Sequence, residues 1–235
     1  MTLKQRVYKL LPFIPRINLA IGVKIHNTTI KLNEEKTKKR LSTQTNIYAN
    51  IGCGNAGLAD NWINVDYSKY ENVNCVFDCR KKLPFADQTV KGLYTEHFFE
   101  HLDYINEVPE FLANCYRVLQ NGGVLRIVVP DAGRYLAGYC SEGWDLLKKT
   151  RPLDDQLVDG LMGIRYETKM QLINEVFRQG GEHKYAWDFE TMAIILRKAG
   201  FQNIRQMSYR KSNDELMAID QLGRRPESLY VEAIK

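Results

Sequence analysis

The chain has no long apolar run. Nowhere in its 235 residues do apolar side chains continue for the ~18–20 positions that a membrane-spanning helix requires, so a helical span is not expected. It has no C-x-x-C pair either. Its five cysteines, at 53, 75, 79, 115 and 140, are odd in number and scattered, and Cys75-x-x-x-Cys79 lacks a second pair or a histidine cluster. A disulfide framework and a cysteine-based metal site are therefore disfavoured, and buried thiols in a reducing compartment are expected. Internal repeats and low-complexity segments are absent. A cleavable leader is not expected: the apolar patch Leu10-Leu11-Pro12-Phe13-Ile14 is broken by Pro12, Pro15 and Arg16, and no small-residue cleavage site follows. These absences leave a cytoplasmic globular protein as the expectation.

What is present is unevenly spread. The net charge is +5, but residues 1–45 hold ten Lys or Arg against two acids, a balance of +8, so residues 46–235 sum to −3. The basic character belongs to an N-terminal arm, amphipathic to about Lys31 and then polar and charged to Thr45. The arm is expected to dock on the domain, with peripheral contact to a membrane surface as its second use. Nucleic acid is a weak reading, because the arm has no interleaved base-stacking pattern.

Residues 46–235 read as alternating strands and helices. Short apolar strands are predicted at Ile47–Ile51, Trp62–Asp66, Val73–Phe77, Val90–Thr95 and Val124–Val129, and two closing strands at Phe201–Tyr209 and Leu229–Ile234. Ile105, Val108, Leu112, Cys115 and Leu119 share one helical face, with Asn106 as the expected N-cap and Asn121-Gly122 as the stop. A second helix runs from an Asp188 N-cap to Ala199, with Arg197 and Lys198 in its last turn and Gly200 at its end. This pattern describes a doubly wound α/β sheet whose ligands lie at the carboxyl ends of the strands. The two closing strands suit an antiparallel pair at one edge.

The first strand ends in Asn50-Ile51-Gly52-Cys53-Gly54-Asn55-Ala56-Gly57, a G-x-G-x-x-G turn of the kind that brings backbone against a nucleotide-type ligand. Downstream come Trp62-Ile63-Asn64-Val65-Asp66, Leu83-Pro84-Phe85-Ala86-Asp87, Glu96-His97-Phe98-Phe99-Glu100-His101-Leu102 and Cys115-Tyr116-Arg117-Val118-Leu119-Gln120-Asn121-Gly122-Gly123. With this ordered set, residues 46–235 resemble the class I S-adenosylmethionine-dependent methyltransferases, in particular the bacterial type 11 family. The resemblance implies a Rossmann-like, doubly wound seven-stranded sheet with an antiparallel last strand, and S-adenosyl-L-methionine as cofactor. It further implies that the backbone of Gly52, Cys53 and Gly54, with Asn55, approaches the methionine and sugar, and that Asp66 takes the ribose hydroxyls. Asp78 with Cys79 would read the adenine, and Glu96 and His97 would lie at the methionine end. Where many relatives carry an acid this chain has Asn50, so contact with the cofactor's amino group would come from elsewhere or from neutral hydrogen bonds. Only Asn55 to Asn61 separate the first two strands, too few for a normal crossover, so the first helix is expected to be truncated or missing. The basic arm is expected to cover the face thus left bare.

Methyl transfer to a hydroxyl needs in-line placement against the sulfonium and removal of one proton, for which a histidine titrates in a suitable range. His97, His101 and His183 are the candidate bases. His97 and His101 are four apart, as in a zincin helix, but Phe98 follows the first and an acid precedes each histidine, so no metal ligand is assigned. Asp131, after the fifth strand, is expected to touch substrate. Residues 132–186 read as a helical cap over the acceptor, with Arg134, Tyr135 and Tyr185 among its substrate candidates. The expected activity is methyl transfer to a small polar acceptor: a hydroxyl of a sugar, glycolipid or secondary metabolite. The rivals are a methyltransferase-like binding protein without catalysis and a nicotinamide-dependent oxidoreductase. The oxidoreductase would need a full first helix and an acid ~20 residues beyond the glycines.

Overall fold

The computed structural model describes residues 35–37, 39–58 and 61–235, so the expectations placed on residues 1–34 lie outside the described residues. Strands β1 (Ile47–Ile51), β2 (Trp62–Asp66), β3 (Cys75–Val76), β4 (Val90–Glu96), β5 (Leu119–Pro130), β6 (Gln202–Met207) and β7 (Ser228–Ile234) form one sheet in the order β3-β2-β1-β4-β5-β7-β6. β7 runs antiparallel to both β5 and β6, and the other pairings are parallel. The expected seven-stranded sheet with an antiparallel last strand is therefore present. β3 keeps only Cys75 and Val76 of its predicted span. Among the described residues no helix is long and apolar enough to cross a membrane.

Alternation along the strands splits the core into two layers. Ile47, Ala49 and Ile51 of β1 join Leu93, Ile127, Val129, Val231 and Ala233 on one face. That face is covered by α1 (Val108–Val118) and α5 (Phe189–Lys198) through Phe111, Leu112, Cys115, Met192 and Leu196. α5 starts where expected: the Asp188 carboxylate accepts the Thr191 N–H at 2.9 Å, and Gly200 closes the helix at φ +98°. α1 starts later than expected. Asp103 Oδ1 accepts the N–H groups of Ile105 and Asn106, holding both in a turn, so Glu107 takes the N-cap position and Ile105 is left 77% exposed. The helix also ends before Asn121-Gly122, because Leu119 is already extended and pairs with Val90. Arg117 in its last turn donates to the carbonyls of Leu83 and Phe85 and to Asp87, joining two of the motifs read in the sequence.

The other face carries Tyr48, Trp62, Tyr94, Val128 and Tyr230. Between β1 and β2 the described residues form turns only, so the first crossover helix is missing, as the spacing requires. The arm expected to cover this face lies, up to residue 34, outside the described residues. The connection from β6 to β7 lies over this face, with Met217 fully buried and Ile219 and Tyr209 packed beside it. Gly92 leaves the space for this contact, since a Cβ there would come within 2.5 Å of the Met217 sulfur. The connection is pinned by a buried ion network. Arg126 on β5 donates to Asp220 at 2.6 and 2.8 Å and to Glu232 on β7 at 2.8 Å.

Residues 132–186 contribute α2 (Ala132–Cys140), α3 (Asp145–Thr150) and α4 (Lys169–Arg178), a small layer with its own core of Tyr135, Leu147, Tyr166, Leu172, Ile173 and Val176. α4 begins with a capping box between Thr168 and Gln171.

Candidate active site

The glycine turn is built differently from a phosphate cradle. The N–H groups of Gly52 and Cys53 donate to the Val65 carbonyl of β2, and that of Gly54 donates to Asp66 Oδ2 at 2.8 Å. These amides are satisfied within the fold, so the turn offers a ligand space rather than donors. Both glycines are in the left-handed region, at φ +68° and +52°. At Gly52 a Cβ would meet the Phe98 ring at 2.2 Å, so this position is glycine because the loop after β4 closes against it. At Gly54 the space is open.

Gly52, Asp66, Asp78 and Cys79 line a crevice of about 400 Å³ together with Tyr67, Arg80, Phe98, His101, Leu102, Glu182 and Lys184. The strand-end acids from β2 and the loop after β3 thus share one cavity. Asp66 Oδ1 also accepts from the Ser68 N–H, so each carboxylate oxygen has one lone pair left for a ligand. Asp78 is more occupied than expected. Arg80 grips it in a fork at 2.9 and 3.0 Å, and although burial pushes its carboxyl up, this partner holds it below the usual range. Asn50, Cys53 and Glu96 meet in an adjoining small cavity with Tyr94 and Gln221. Asn50 Nδ2 approaches the Ala56 carbonyl at 3.4 Å, Glu96 accepts the Gln221 N–H, and burial pushes the Cys53 thiol up to about 12. Asn55 lies on the exposed turn, where its carbonyl is 3.5 Å from Asn72 Nδ2.

Beyond β4 the three candidate histidines come together. The N–H groups of Lys184 and Tyr185 both donate to the Glu100 carbonyl, which carries His183 across from the cap. His101 and His183 rings meet edge to face with centroids 4.8 Å apart, and His97 Nδ1 lies 3.4 Å from Glu100 Oε1. His97 holds φ +52°, and its Nε2 lies 3.0 Å from Ser228 Oγ. Ser228 gives its own proton to the Arg224 carbonyl, so it accepts from Nε2–H and leaves His97 Nδ1 as the basic nitrogen. Burial pushes His183 below its ordinary value against the pull of Glu100. Burial pushes Glu100 up, but His97, His101 and His183 outweigh it and hold the carboxyl below its ordinary range.

The other substrate candidates are placed in structural roles. Asp131 caps α2, accepting from the Arg134 N–H, and pairs with Arg134 Nε at 3.0 Å. Arg134 also donates to the Pro226 carbonyl. Tyr135 is fully buried and donates to Glu227 at 2.8 Å. Tyr185 stacks on Tyr104 with centroids 4.3 Å apart and packs on Trp187. All four side chains are engaged with partners within the fold. On the cap side Arg151, Glu175, Arg224 and Glu227, none of them a candidate from the sequence, line a separate cavity of about 10 Å³ with His97 and His183. Arg224 and Glu227 lie in a stretch without helical period, which carried no signal. The charged pair flanking His183, Glu182 and Lys184, was the one local hint.

Glu227 accepts from Arg151, Arg224 and Tyr135. Burial pushes its carboxyl up, yet Arg151, His97 and Arg224 bring it below the ordinary 4.5. A folded-state value below the unfolded one contributes stability that is complete above 4.5 and disappears as pH falls through the lower folded value. Urea midpoints should therefore hold from neutral pH to about 4.5 and then drop, with a shallower drop in Glu227→Gln. An equal acid dependence in that variant would place the responsible carboxylates elsewhere.

Residues 49–127, which span β1 to β5 with both acids and the Glu-His run, match the family model described as "Methyltransferase domain". The chain carries a methyltransferase domain. S-adenosyl-L-methionine is its methyl donor. Among solved structures, the chain is similar to an S-adenosylmethionine-dependent methyltransferase from Archaeoglobus fulgidus, at 20% identity over 88% of this chain and 94% of that one, with a TM-score of 0.48. It is similar to a possible histamine N-methyltransferase from Thermotoga maritima, at 16% identity over 95% and 98%, TM-score 0.45. A methyltransferase from Mesorhizobium loti aligns at 14% identity over 86% and 96%, TM-score 0.45. At these distances none speaks to the acceptor. No curated protein sequence matches the chain.

Proposed function

We propose that this methyltransferase transfers its methyl group to a hydroxyl of a small polar acceptor, of the sugar, glycolipid or secondary-metabolite class, held between the strand ends and the cap of residues 132–186. The carrying observation is the gathering of His97, His101 and His183 around buried Glu100 beside the cofactor crevice. The cap-side lining of that crevice, His101, Glu182 and Lys184, supports a polar acceptor over an apolar one. In the reaction the acceptor oxygen attacks the sulfonium methyl in line, and the carbon–sulfur bond breaks with its electron pair going to sulfur. The hydroxyl proton passes to His97 Nδ1, and Glu100, 3.4 Å away, stabilises the imidazolium.

Label transfer from methyl-labelled S-adenosylmethionine to a panel of hydroxyl and amine acceptors tests this. Methyl ethers are expected, with kcat lowered about 10²–10⁴-fold in His97→Asn. Asparagine tolerates the positive φ of this position. Affinity for S-adenosylhomocysteine should change little. Methylation of amines alone would reject the hydroxyl assignment, and undiminished kcat in His97→Asn would reject the base.

A further inference from the structure

Glu100 has 2% of its surface exposed, and neither carboxylate oxygen has a hydrogen-bond partner among the described residues. A buried carboxylate in that state is costly unless a cation sits beside it. The two imidazoles nearest the cap are oriented in a way that does not supply one in their neutral form. His183 Nδ1 lies 2.6 Å from the Val176 carbonyl oxygen, and His101 Nδ1 lies 3.1 Å from the Glu182 carbonyl oxygen. A carbonyl only accepts, so both Nδ1 atoms carry the proton, and in the neutral rings both Nε2 atoms keep a lone pair. His183 Nε2 stands 3.9 Å from Glu100 Oε1. One ligand-type atom from each of Glu100, His101 and His183 falls within 4.8 Å of the others.

We propose that Glu100, His101 and His183 bind a divalent transition-metal ion. Two imidazole nitrogens and a carboxylate suit Zn²⁺ or Mn²⁺, whereas Mg²⁺ takes oxygen ligands. Tetrahedral bonds of about 2.0–2.2 Å set ligand atoms about 3.4 Å apart, so separations of up to 4.8 Å must close by up to about 1.4 Å. The Val176 and Glu182 carbonyls hold the ring orientation and tautomer, the arrangement that outer partners impose on metal-ligating histidines. Three protein ligands leave positions open on the side of His97 and the cofactor crevice, which His101 lines. An acceptor hydroxyl bound there would be acidified next to His97 Nδ1. That consequence rests on the function proposed above; the binding of the ion does not. No local motif announces this group, because His183 joins it from 82 residues beyond His101 only through folding.

The test uses the full chain, stripped with chelator, in a Cys140→Ser background so that the exposed thiol does not compete. Calorimetric titration with Zn²⁺, and with Co²⁺ followed by its visible absorption, should show one ion per chain that Mg²⁺ does not displace. Affinity should fall at least about 100-fold in Glu100→Gln and in His183→Ala. Far-ultraviolet circular dichroism and cooperative thermal unfolding of the same samples report whether each variant is folded. Where a buried variant fails to fold, His101→Ala, at a half-buried side chain, takes its place. Absence of stoichiometric Zn²⁺ binding, or unchanged affinity in the folded variants, overturns the metal site while leaving methyl transfer intact. Zn²⁺ binding without methyl transfer to any hydroxyl rejects the function and leaves the metal site standing.

Discussion

Arg126→Met is expected to cost about 3–5 kcal/mol of unfolding stability, the largest loss from a single substitution outside the crevice. Arg126, Asp220 and Glu232 are all fully buried. The guanidinium donates to Asp220 through Nε and Nη2 and to Glu232 through Nη1, and it also reaches the carbonyls of Lys211 and Ser208. Methionine fills much of the volume but leaves two carboxylates without their cation, and uncompensated buried charge dominates such losses. The β6–β7 connection should loosen first, because Arg126 ties residues 208–220 to the sheet face that carries Tyr48, Trp62 and Tyr94. Urea unfolding measures the loss, and hydrogen exchange should locate the early opening over residues 208–220. A loss under about 1 kcal/mol would mean that packing of Met217 and its neighbours holds the connection without the ions.

Asp66→Asn should weaken S-adenosylhomocysteine binding on the order of 10–100-fold. The carboxylate accepts the Gly54 N–H at 2.8 Å through one oxygen and the Ser68 N–H at 2.7 Å through the other. An asparagine keeps one oxygen and turns an NH₂ group toward the remaining N–H donor, so one charge-assisted hydrogen bond becomes a repulsive contact. Such bonds contribute about 1.5–3 kcal/mol, and about 1.4 kcal/mol is tenfold in affinity. The substitution both loosens the glycine turn and removes the charge that would receive the ribose hydroxyls. Calorimetry reads the affinity and thermal unfolding reads the turn. Lower stability with unchanged affinity would make Asp66 a brace for the turn and put the ribose elsewhere.

The strands were legible because each reports itself locally. Ile47–Ile51 and Val90–Glu96 are short apolar runs, and a strand buried on both sides needs little else to be recognised. The missing first helix was legible too, since a count of residues between strands bounds what can fit there. The start of α1 was not, because the period of Ile105 with Val108 and Leu112 is indistinguishable from a helical face until Asp103 is seen to hold Ile105 and Asn106 in a turn. The placing of Asp66 and Asp78 in one crevice beyond the strand ends was legible from their position after apolar runs. The roles of Asp131 and Tyr135 were not, since capping and burial depend on Arg134, Arg151 and Glu227 arriving from other parts of the chain.

By itself the sequence determined the sheet, the cofactor side and the class of chemistry, because strand patterns, turn glycines and strand-end acids act over a few neighbouring residues. Only the tertiary structure decided what covers the bare face and what surrounds Glu100. Met217 reaches Gly92, Asp220 reaches Arg126, and His183 reaches Glu100 across long stretches of chain. Contacts of that kind are set by how layers pack, and packing leaves no period in the sequence.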